Sequence, residues 1–322
     1  MRISKNGYFI FLLLLCYITL CTYFIGIKDA NVWKDYLVYK NYYYDAQNNS
    51  VLSIISNIQD PLFVLFMKPF TYDFNGFGHF LIVCAFVTLF FKFFAISRAD
   101  TNVVVFIILY SSYLLCLHEY IQIRIALALG ILLYSVYWIK RPLVQYAMMI
   151  IALLFHFSVI VPVLVYVVVN RGVNGFKFIY LFSPVLIFFP LLFKSGFFDI
   201  NRINSYLALQ GQGVGVDINI FSTLPFIQLC TLIFIFLSKK YKYSVYTYEY
   251  IISFLGVFIF YSFLSIPVLA LRYFEVCNVF FLIILAKNYN KSYFFITVII
   301  IYLVIGIKNY SQLIGLNIPF LG

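Results

Sequence analysis

The sequence predicts an all-α, polytopic membrane protein, and three observations support this fold class. The 322-residue chain is 64% hydrophobic and only 10% charged, whereas water-soluble domains carry far more charge. Apolar stretches that approach the length of a bilayer-spanning helix recur from one end of the chain to the other. Basic residues gather in alternate connections, as the positive-inside rule requires of a multi-pass protein. We therefore expect a single integral membrane domain over residues 1–322.

About eleven stretches are candidate spans, because the hydrocarbon core requires about 20 apolar residues per helix. Leu143–Val169 has two interpretations: one long helix, or a short intramembrane hairpin of two helices that turns at His156. Val276–Ala286 is short, and a start before Arg272 is the alternative. In chain order the candidates are Tyr8–Ile27, Phe77–Ile96, Asn102–Leu117, Ile121–Trp138, Leu143–Leu154, Ser158–Val169, Phe176–Phe193, Ile220–Leu237, Tyr250–Ala270, Val276–Ala286 and Tyr293–Ile307.

The distribution of charge orients these spans and favours the hairpin. With a cytoplasmic N-terminus, the inner side receives thirteen basic residues and only two acidic ones, which accounts for the whole net charge of +11. A single long helix would instead place Arg171 and Lys177 outside and invert every later connection. The excess is therefore explained by topology and needs no nucleic-acid partner. The thirteen are Arg2, Lys5, Lys92, Arg98, Lys140, Arg141, Arg171, Lys177, Lys239, Lys240, Lys242, Lys287 and Lys291.

The first of two long outer loops, residues 28–76, is rich in aromatic and acidic side chains. Trp33, Asp35, Tyr36 and Tyr39 lie close together in it. Aromatic ring faces cover the C–H groups of a sugar, while carboxylate oxygens accept hydrogen bonds from its hydroxyls. These four residues are therefore candidates for glycan binding.

An apolar run later in this loop begins at Asp60-Pro61, with Asp at the N-cap of a helix and Pro at its first position. The run is too short to span, so we expect it to lie in the interface or to enter the membrane and return. The second outer loop, residues 194–219, contains Arg202 and a glycine-rich stretch over 210–215. It is either a mobile lid over a site or a connection without function.

Charged residues within apolar stretches are candidate site residues, because a charge at mid-span costs roughly 2.5 kcal/mol or more. Arg124 lies in the first turn of a predicted helix, where it either serves a site, reaches the outer interface or pairs with Glu119. His156 lies at the turn of the hairpin, beneath the outer surface, as a functional group or a hydrogen-bonded structural one. Arg272 ends a span on the outer side, and a salt bridge to Glu275 is its plain alternative.

Several chemistries receive no support from the sequence. All six cysteines lie in or beside apolar stretches without a C-x-x-C pair, and no metal-ligand spacing, Ser-His-Asp order or paired acidic motif is visible. What remains is Arg124, Arg272 and Arg202 with one histidine on the predicted outer side. Forked guanidinium donors suit the oxygens of a diphosphate, and a lipid-linked diphosphate lies at that depth.

The order of these motifs resembles the EpsG family of Wzy-type polysaccharide polymerases, from Trp33 to Phe280. This chain departs from the family pattern at Asp60, where Glu is frequent, and at Ile125, where Gln is frequent. The matching motifs are Asp35-Tyr36-x-x-Tyr39, Asp60-Pro61-Leu62-Phe63, Ile123-Arg124-Ile125-Ala126-Leu127-Ala128, Phe155-His156-Phe157-Ser158 and Arg272-Tyr273-Phe274.

The resemblance implies a GT-C-like membrane glycosyltransferase of the bacterial inner membrane, active on its outer face. It would polymerise undecaprenyl-diphosphate-linked repeat units of an exopolysaccharide, capsule or O-antigen. Arg124 and Arg272, with Arg202, would bind the diphosphate; His156 would be the base, with Asp60 or Glu119 as alternatives. No cofactor and no metal is expected, and the expected partners are the lipid-linked oligosaccharide, membrane lipids, a flippase and a chain-length regulator.

Two other functions are compatible with the sequence. A membrane O-acetyltransferase of surface glycans would also use intramembrane Arg and His. A flippase or transporter of lipid-linked sugars usually shows an internal repeat, and none is visible between the two halves of this chain.

Overall fold

The computed structural model describes residues 5–26, 35–58, 60–195 and 218–313, and within these ranges every regular element is a helix. This agrees with the predicted fold class, because helices satisfy their own backbone hydrogen bonds in an apolar environment. The α-helices are α1 Lys5–Gly26, α2 Tyr36–Asn48, α3 Val51–Asn57, α4 Pro61–Met67, α5 Gly76–Ile96, α6 Val103–Ser112, α7 Ile123–Tyr137, α8 Pro142–Phe155, α9 Ile160–Val169, α10 Val173–Phe182, α11 Phe189–Lys194, α12 Thr223–Leu237, α13 Tyr248–Ser262, α14 Pro267–Asn288 and α15 Tyr293–Leu313.

Four helical segments are long and apolar enough to cross a membrane, and two bent helix pairs raise that number to six. The bent pairs are α6 with the π-helix Leu115–Ile121, at 67°, and α12 with the 3₁₀ helix Lys239–Tyr246, at 111°. The described residues also hold five shorter apolar helices of 10–17 residues. The chain is a multi-pass membrane protein by these lengths and compositions, and the expected number of about eleven spans is not confirmed.

The predicted span Tyr250–Ala270 is wrong at its C-terminal end. Helix α13 ends at Ser262, and α14 begins at Pro267 after a residue with φ −133° and ψ 75°. Proline has no N–H to donate and keeps the preceding residue out of the helical region, so it starts a new helix here. Arg272 consequently lies in the second turn of α14 and does not end a span. The alternative start before Arg272 is confirmed.

A helix break at His156 is also confirmed. Helix α8 ends at Phe155, His156 is extended (φ −164°, ψ 124°), and a 3₁₀ turn over Phe157–Val159 leads into α9. The described residues group into two compact units, and their boundary follows Val159. The first unit ends there and also takes in the residues from Gly306 onward; the second is Ile160–Ile305. The folding back of α8 and α9 into a hairpin stays a prediction, as does the single domain.

In the first unit, four helical segments occupy most of residues 36–57 and 61–72, which were predicted as part of a long outer loop. Helix α4 buries Phe63, Val64 and Met67 in a cluster with Phe80 of α5 and Leu127 of α7. Neighbouring helices therefore cover the apolar run. They bury the apolar face of this seven-residue helix more completely than a membrane interface would.

A lysine that follows α4 anchors the C-terminal end of α2. The Lys68 ammonium group donates hydrogen bonds to the carbonyls of Ala46 (2.9 Å) and Asn49 (2.7 Å), at the C-terminal end of α2. A cation there satisfies orphan carbonyls and opposes the negative end of the helix dipole. The Tyr43 hydroxyl adds a bond of 3.1 Å to the Phe70 carbonyl. These contacts hold α2 against the segment that follows α4.

In the second unit, α13 and α14 pack closely along their length. A Cβ added at Gly256 would lie only 2.4 Å from the Cβ of Cys277, so glycine permits this approach. Almost every residue of α14 from Val276 to Ala286 is buried. This helix is therefore the centre of its unit.

Candidate active site

One carboxylate in the first unit contacts both an arginine and a histidine that are distant in the sequence. Oδ2 of Asp60 accepts a hydrogen bond of 2.7 Å from Nη1 of Arg124 and lies 3.0 Å from Nδ1 of His156. The side chains of Asp60 and His156 are 5% and 1% exposed, and that of Arg124 is 12% exposed. Three residues that the sequence singled out one by one thus form a single buried cluster, which we call the Asp60–Arg124–His156 site.

Asp60 reaches its partners through an unusual backbone conformation. It occupies the predicted N-cap of α4, with Pro61 at the first helical position, but its φ of 57° and ψ of 55° are left-handed. Aspartate tolerates this region better than most residues. Its side chain makes no capping hydrogen bond and turns to the arginine and histidine instead. Such a conformation persists where the surrounding contacts fix it, and it often accompanies function.

Two tyrosines of α2 enclose the guanidinium group of Arg124. The hydroxyl of Tyr42 accepts a bond of 2.8 Å from Nη1, and the Tyr42 ring lies 4.8 Å from Cζ. The hydroxyl of Tyr39 accepts a bond of 3.4 Å from the backbone N–H of Arg124. Arg124 is the second residue of α7, where a cation faces the positive end of the helix dipole. The carboxylate of Asp60 and the tyrosine rings offset this repulsion.

Not all donors of Arg124 are used by these contacts. Its buried Nε has no hydrogen-bond partner among the residues that the structure describes. A buried guanidinium donor without a partner is costly, and a bound anion is a common explanation. The group can therefore hold Asp60 through Nη1 and still accept an oxyanion on another edge.

The histidine is oriented like a general base. A carboxylate has only acceptors, so the contact with Asp60 places the proton on Nδ1 of His156 and leaves Nε2 as the basic nitrogen. The break after α8 makes this possible, because the extended backbone of His156 turns the ring toward α4. A base held in one tautomer by a carboxylate suits the removal of a proton from a hydroxyl.

The predicted glycan-binding residues have different surroundings. Tyr39 is 1% exposed, and burial raises its pKa to about 12, so the phenol stays neutral and can accept the hydrogen bond from Arg124. Tyr36 is half-buried beside the ring of Phe77, at a centroid distance of 5.9 Å, and Asp35 precedes α2 as its N-cap residue. Trp33 lies outside the described residues. Their role in sugar binding stays a prediction.

Glu119 is not the partner of Arg124, which corrects that alternative. Its carboxylate lies 2.6 Å from the ammonium group of Lys92, and the hydroxyl of Tyr110 lies 2.8 Å from both carboxylate oxygens, to which it donates one bifurcated bond. His118 lies 3.4 Å from the same hydroxyl through Nδ1. All four side chains are buried. Lys92 is therefore an interior residue and does not count among the predicted inner bases, so the predicted inner excess of charge falls by one.

The structure does not test the three predicted diphosphate-binding arginines as a group. Arg124 belongs to the first unit and Arg272 to α14 of the second, while Arg202 lies outside the described residues. The role of Arg272 and Arg202 toward a diphosphate stays a prediction, as does the pair of Arg272 with Glu275.

Two buried polar interactions were missed in the sequence, one at the site through Tyr42 and one outside it through Lys92. Tyr42 is three residues after Tyr39, so both lie on one face of α2, and this spacing was the available signal. Lys92 lies inside an apolar span, four residues before its end, which marks it as an internal partner as readily as an interfacial lysine.

Comparison with known proteins adds a family assignment. No curated protein and no solved structure matches the chain. The EpsG family matches residues 11–320, which include Asp60, Arg124 and His156. The resemblance drawn from the motifs is confirmed by this match over nearly the whole chain. The protein therefore belongs to the EpsG family.

Proposed function

We propose that the protein is a membrane glycosyltransferase that polymerises undecaprenyl-diphosphate-linked oligosaccharide repeat units in surface polysaccharide synthesis. Membership of the EpsG family supports a role in surface glycan synthesis. The observation that carries the proposed chemistry is the contact of one carboxylate, Asp60, with both Arg124 and His156.

The proposed reaction transfers a growing chain to an acceptor sugar. The acceptor hydroxyl oxygen forms a bond to the anomeric carbon, while the bond from that carbon to the diphosphate oxygen breaks. Nε2 of His156 accepts the hydroxyl proton, and Asp60 orients the ring and balances its charge. Undecaprenyl diphosphate leaves with added negative charge, which the Nε–H of Arg124 stabilises.

The site is closed in this structure, since His156 is only 1% exposed. We therefore include a local opening between α4 and α8, which contact each other directly, as the step that admits the acceptor. By resemblance we also assign Arg272 and Arg202 to the diphosphate, and Trp33, Asp35, Tyr36 and Tyr39 to the sugar. We place the protein in the inner membrane, where a flippase would supply its substrate and a chain-length regulator would accompany it.

The test is analysis of lipid-linked glycans in a deletion strain that carries each variant. His156→Gln and Arg124→Ala are expected to accumulate single repeat units on the outer face and to lose the polymer ladder, with normal protein levels in the membrane. His79→Ala is the matched control, because His79 is an exposed histidine of the same unit that pairs with Asp73. It should keep the full ladder.

Other results would exclude the proposal. A normal ladder from both site variants removes the assignment of the site. A full-length ladder that has lost acetyl groups after deletion indicates an O-acetyltransferase. Repeat units that remain on the inner face after deletion indicate a flippase.

A further inference from the structure

The second unit contains an apolar cavity that the proposed reaction does not use. The cavity measures about 560 Å³ and is lined mainly by α12 and α13. The hydroxyls of Tyr180 and Tyr250 are bonded to the carbonyls of Val245 (2.7 Å) and Leu232 (2.9 Å), so these tyrosines offer the cavity mainly their rings. Other lining residues are Leu229, Ile233, Phe236, Phe254, Phe258 and Tyr261. The walls therefore suit a hydrocarbon chain.

A second cavity of about 300 Å³ shares the lining residue Phe236 with the first. Here the chain bends by 111° between α12 and the 3₁₀ helix Lys239–Tyr246. The bend brings Lys239 and Lys242 to the wall of the second cavity, together with Ser238 and Tyr246. The lining is thus mainly aromatic and apolar on one side of Phe236 and carries two lysines on the other.

The two lysines are available to a ligand. Both are exposed, and neither ammonium group makes a hydrogen bond or an ion pair with any described residue. Lys240, between them, instead donates to the carbonyl of Lys291. The acidic residue nearest to them along the sequence, Glu249, is buried and lines a separate small cavity with Lys287 and Lys291. The second cavity is therefore cationic without a neutralising carboxylate on its walls.

We propose that the two cavities form one binding site for a phospholipid with an anionic headgroup. An acyl chain occupies the apolar cavity, and the headgroup phosphate meets Lys239 and Lys242. The uncompensated lysines favour an anionic headgroup over a zwitterionic one, and basic pockets between membrane helices bind such lipids. The predicted orientation places these lysines at the inner leaflet, where anionic lipids interact with basic segments. The proposal is independent of polymerase activity.

The test uses the full-length protein in nanodiscs of phosphatidylcholine with or without phosphatidylglycerol. Retained lipid is measured by native mass spectrometry, and the thermal unfolding midpoint by intrinsic fluorescence. The wild type is expected to retain phosphatidylglycerol over phosphatidylcholine and to unfold at a higher temperature when it is present. Lys239→Gln with Lys242→Gln should lose both effects, and Ile233→Trp should reduce retention by filling the apolar cavity. The charge control is Lys140→Gln with Arg141→Gln, an exposed basic pair of the first unit.

Three outcomes would overturn the proposal. Equal loss in the control pair shows general attraction between basic residues and the membrane. Equal retention of the two lipids by the wild type shows a site without headgroup preference. Stabilisation by inorganic phosphate alone, unaffected by Ile233→Trp, shows an anion site that needs no lipid.

Discussion

At the scale of single residues, the candidate site depends most on Asp60, because its Oδ2 contacts both Arg124 and His156. Asp60→Asn keeps the size and the tolerance of a left-handed backbone but removes the charge. Arg124 would then be largely buried without a counter-ion, and breaking such a pair costs about 3–5 kcal/mol when it is fully buried. Since Arg124 is 12% exposed, we expect a smaller loss of stability, and complete loss of polymer.

The comparison variant is Asp60→Glu, which restores the carboxylate on a longer arm in a backbone region that glutamate adopts less readily. Partial polymer is the expected result. The measurements are the polymer ladder and the unfolding midpoint in detergent. Normal polymer from Asp60→Asn would show that neither the charge of the pair nor the orientation of His156 is required.

Each member of this site was recognisable in the sequence, but their contact was not. A charge or histidine in an apolar stretch can be found by inspection, because its burial is costly. Their separations are 64 and 96 residues, and no periodic pattern links positions so far apart. Glu119 shows the consequence, since proximity in the sequence suggested Arg124 as its partner and the folded chain supplies Lys92 instead.

At the scale of elements, Lys68 connects the C-terminal end of α2 to α4 and so positions Tyr42 over Arg124. Lys68→Met removes two hydrogen bonds from a charged donor, each of which contributes about 1.5–3 kcal/mol. We expect α2 to fray and the polymer yield to fall several-fold, while α5 and α7 remain protected. Hydrogen exchange of α2 and the polymer ladder measure these effects.

Lys40→Met is the matched control, since Lys40 lies on the same helix and its ammonium group only approaches the rings of Tyr36 and Tyr44. It should leave exchange in α2 nearly unchanged. Equal exchange in both variants would show that Lys68 does not hold the helix.

The position of the π-helix Leu115–Ile121 depends on a second buried charge cluster, which pairs its Glu119 with Lys92 of α5. Lys92 is eight residues beyond Cys84, which belongs to the same hydrophobic cluster as Tyr39 and Phe63, so Lys92 lies about 12 Å further along the helix. Lys92→Met leaves Glu119 unpaired and is expected to cost about 3–5 kcal/mol of unfolding free energy. The double variant with Glu119→Gln should recover most of this loss, as measured in mixed micelles. Losses that simply add would contradict a coupled pair.

Long apolar helices such as α5 were predictable, and the irregular helices were not. Helix α5 begins one residue before its predicted start and ends at the predicted residue, because composition alone determines a long apolar helix. The predicted straight span Asn102–Leu117 is instead α6 followed by a bent π-helix. The bend brings Glu119 to Lys92. Because this is a tertiary contact, no local sequence pattern predicts it.

At the scale of the whole molecule, composition predicts a membrane protein, and the charge pattern predicts its orientation. The structure supports the first conclusion through its long apolar helices. The predicted orientation depends on the segment Leu143–Val169, because the number of times it crosses the membrane determines on which side every later connection lies. The confirmed break at His156 is compatible with a hairpin, and a measurement of sidedness decides the question.

Labelling of single cysteines with a membrane-impermeant maleimide gives that measurement. Leu143→Cys lies at the start of the segment and Val173→Cys lies just after its end, and these side chains are 84% and 55% exposed. With a hairpin and a cytoplasmic N-terminus, both should be labelled only after the membrane is permeabilised.

Tyr44→Cys, at a 46% exposed position of the predicted outer segment, is the control that should be labelled in intact cells. Labelling above that of the parent protein corrects for the six native thiols. If Val173→Cys were labelled from outside while Leu143→Cys stayed protected, the segment would be a single crossing, and the lysines from Lys239 onward would face the outer side.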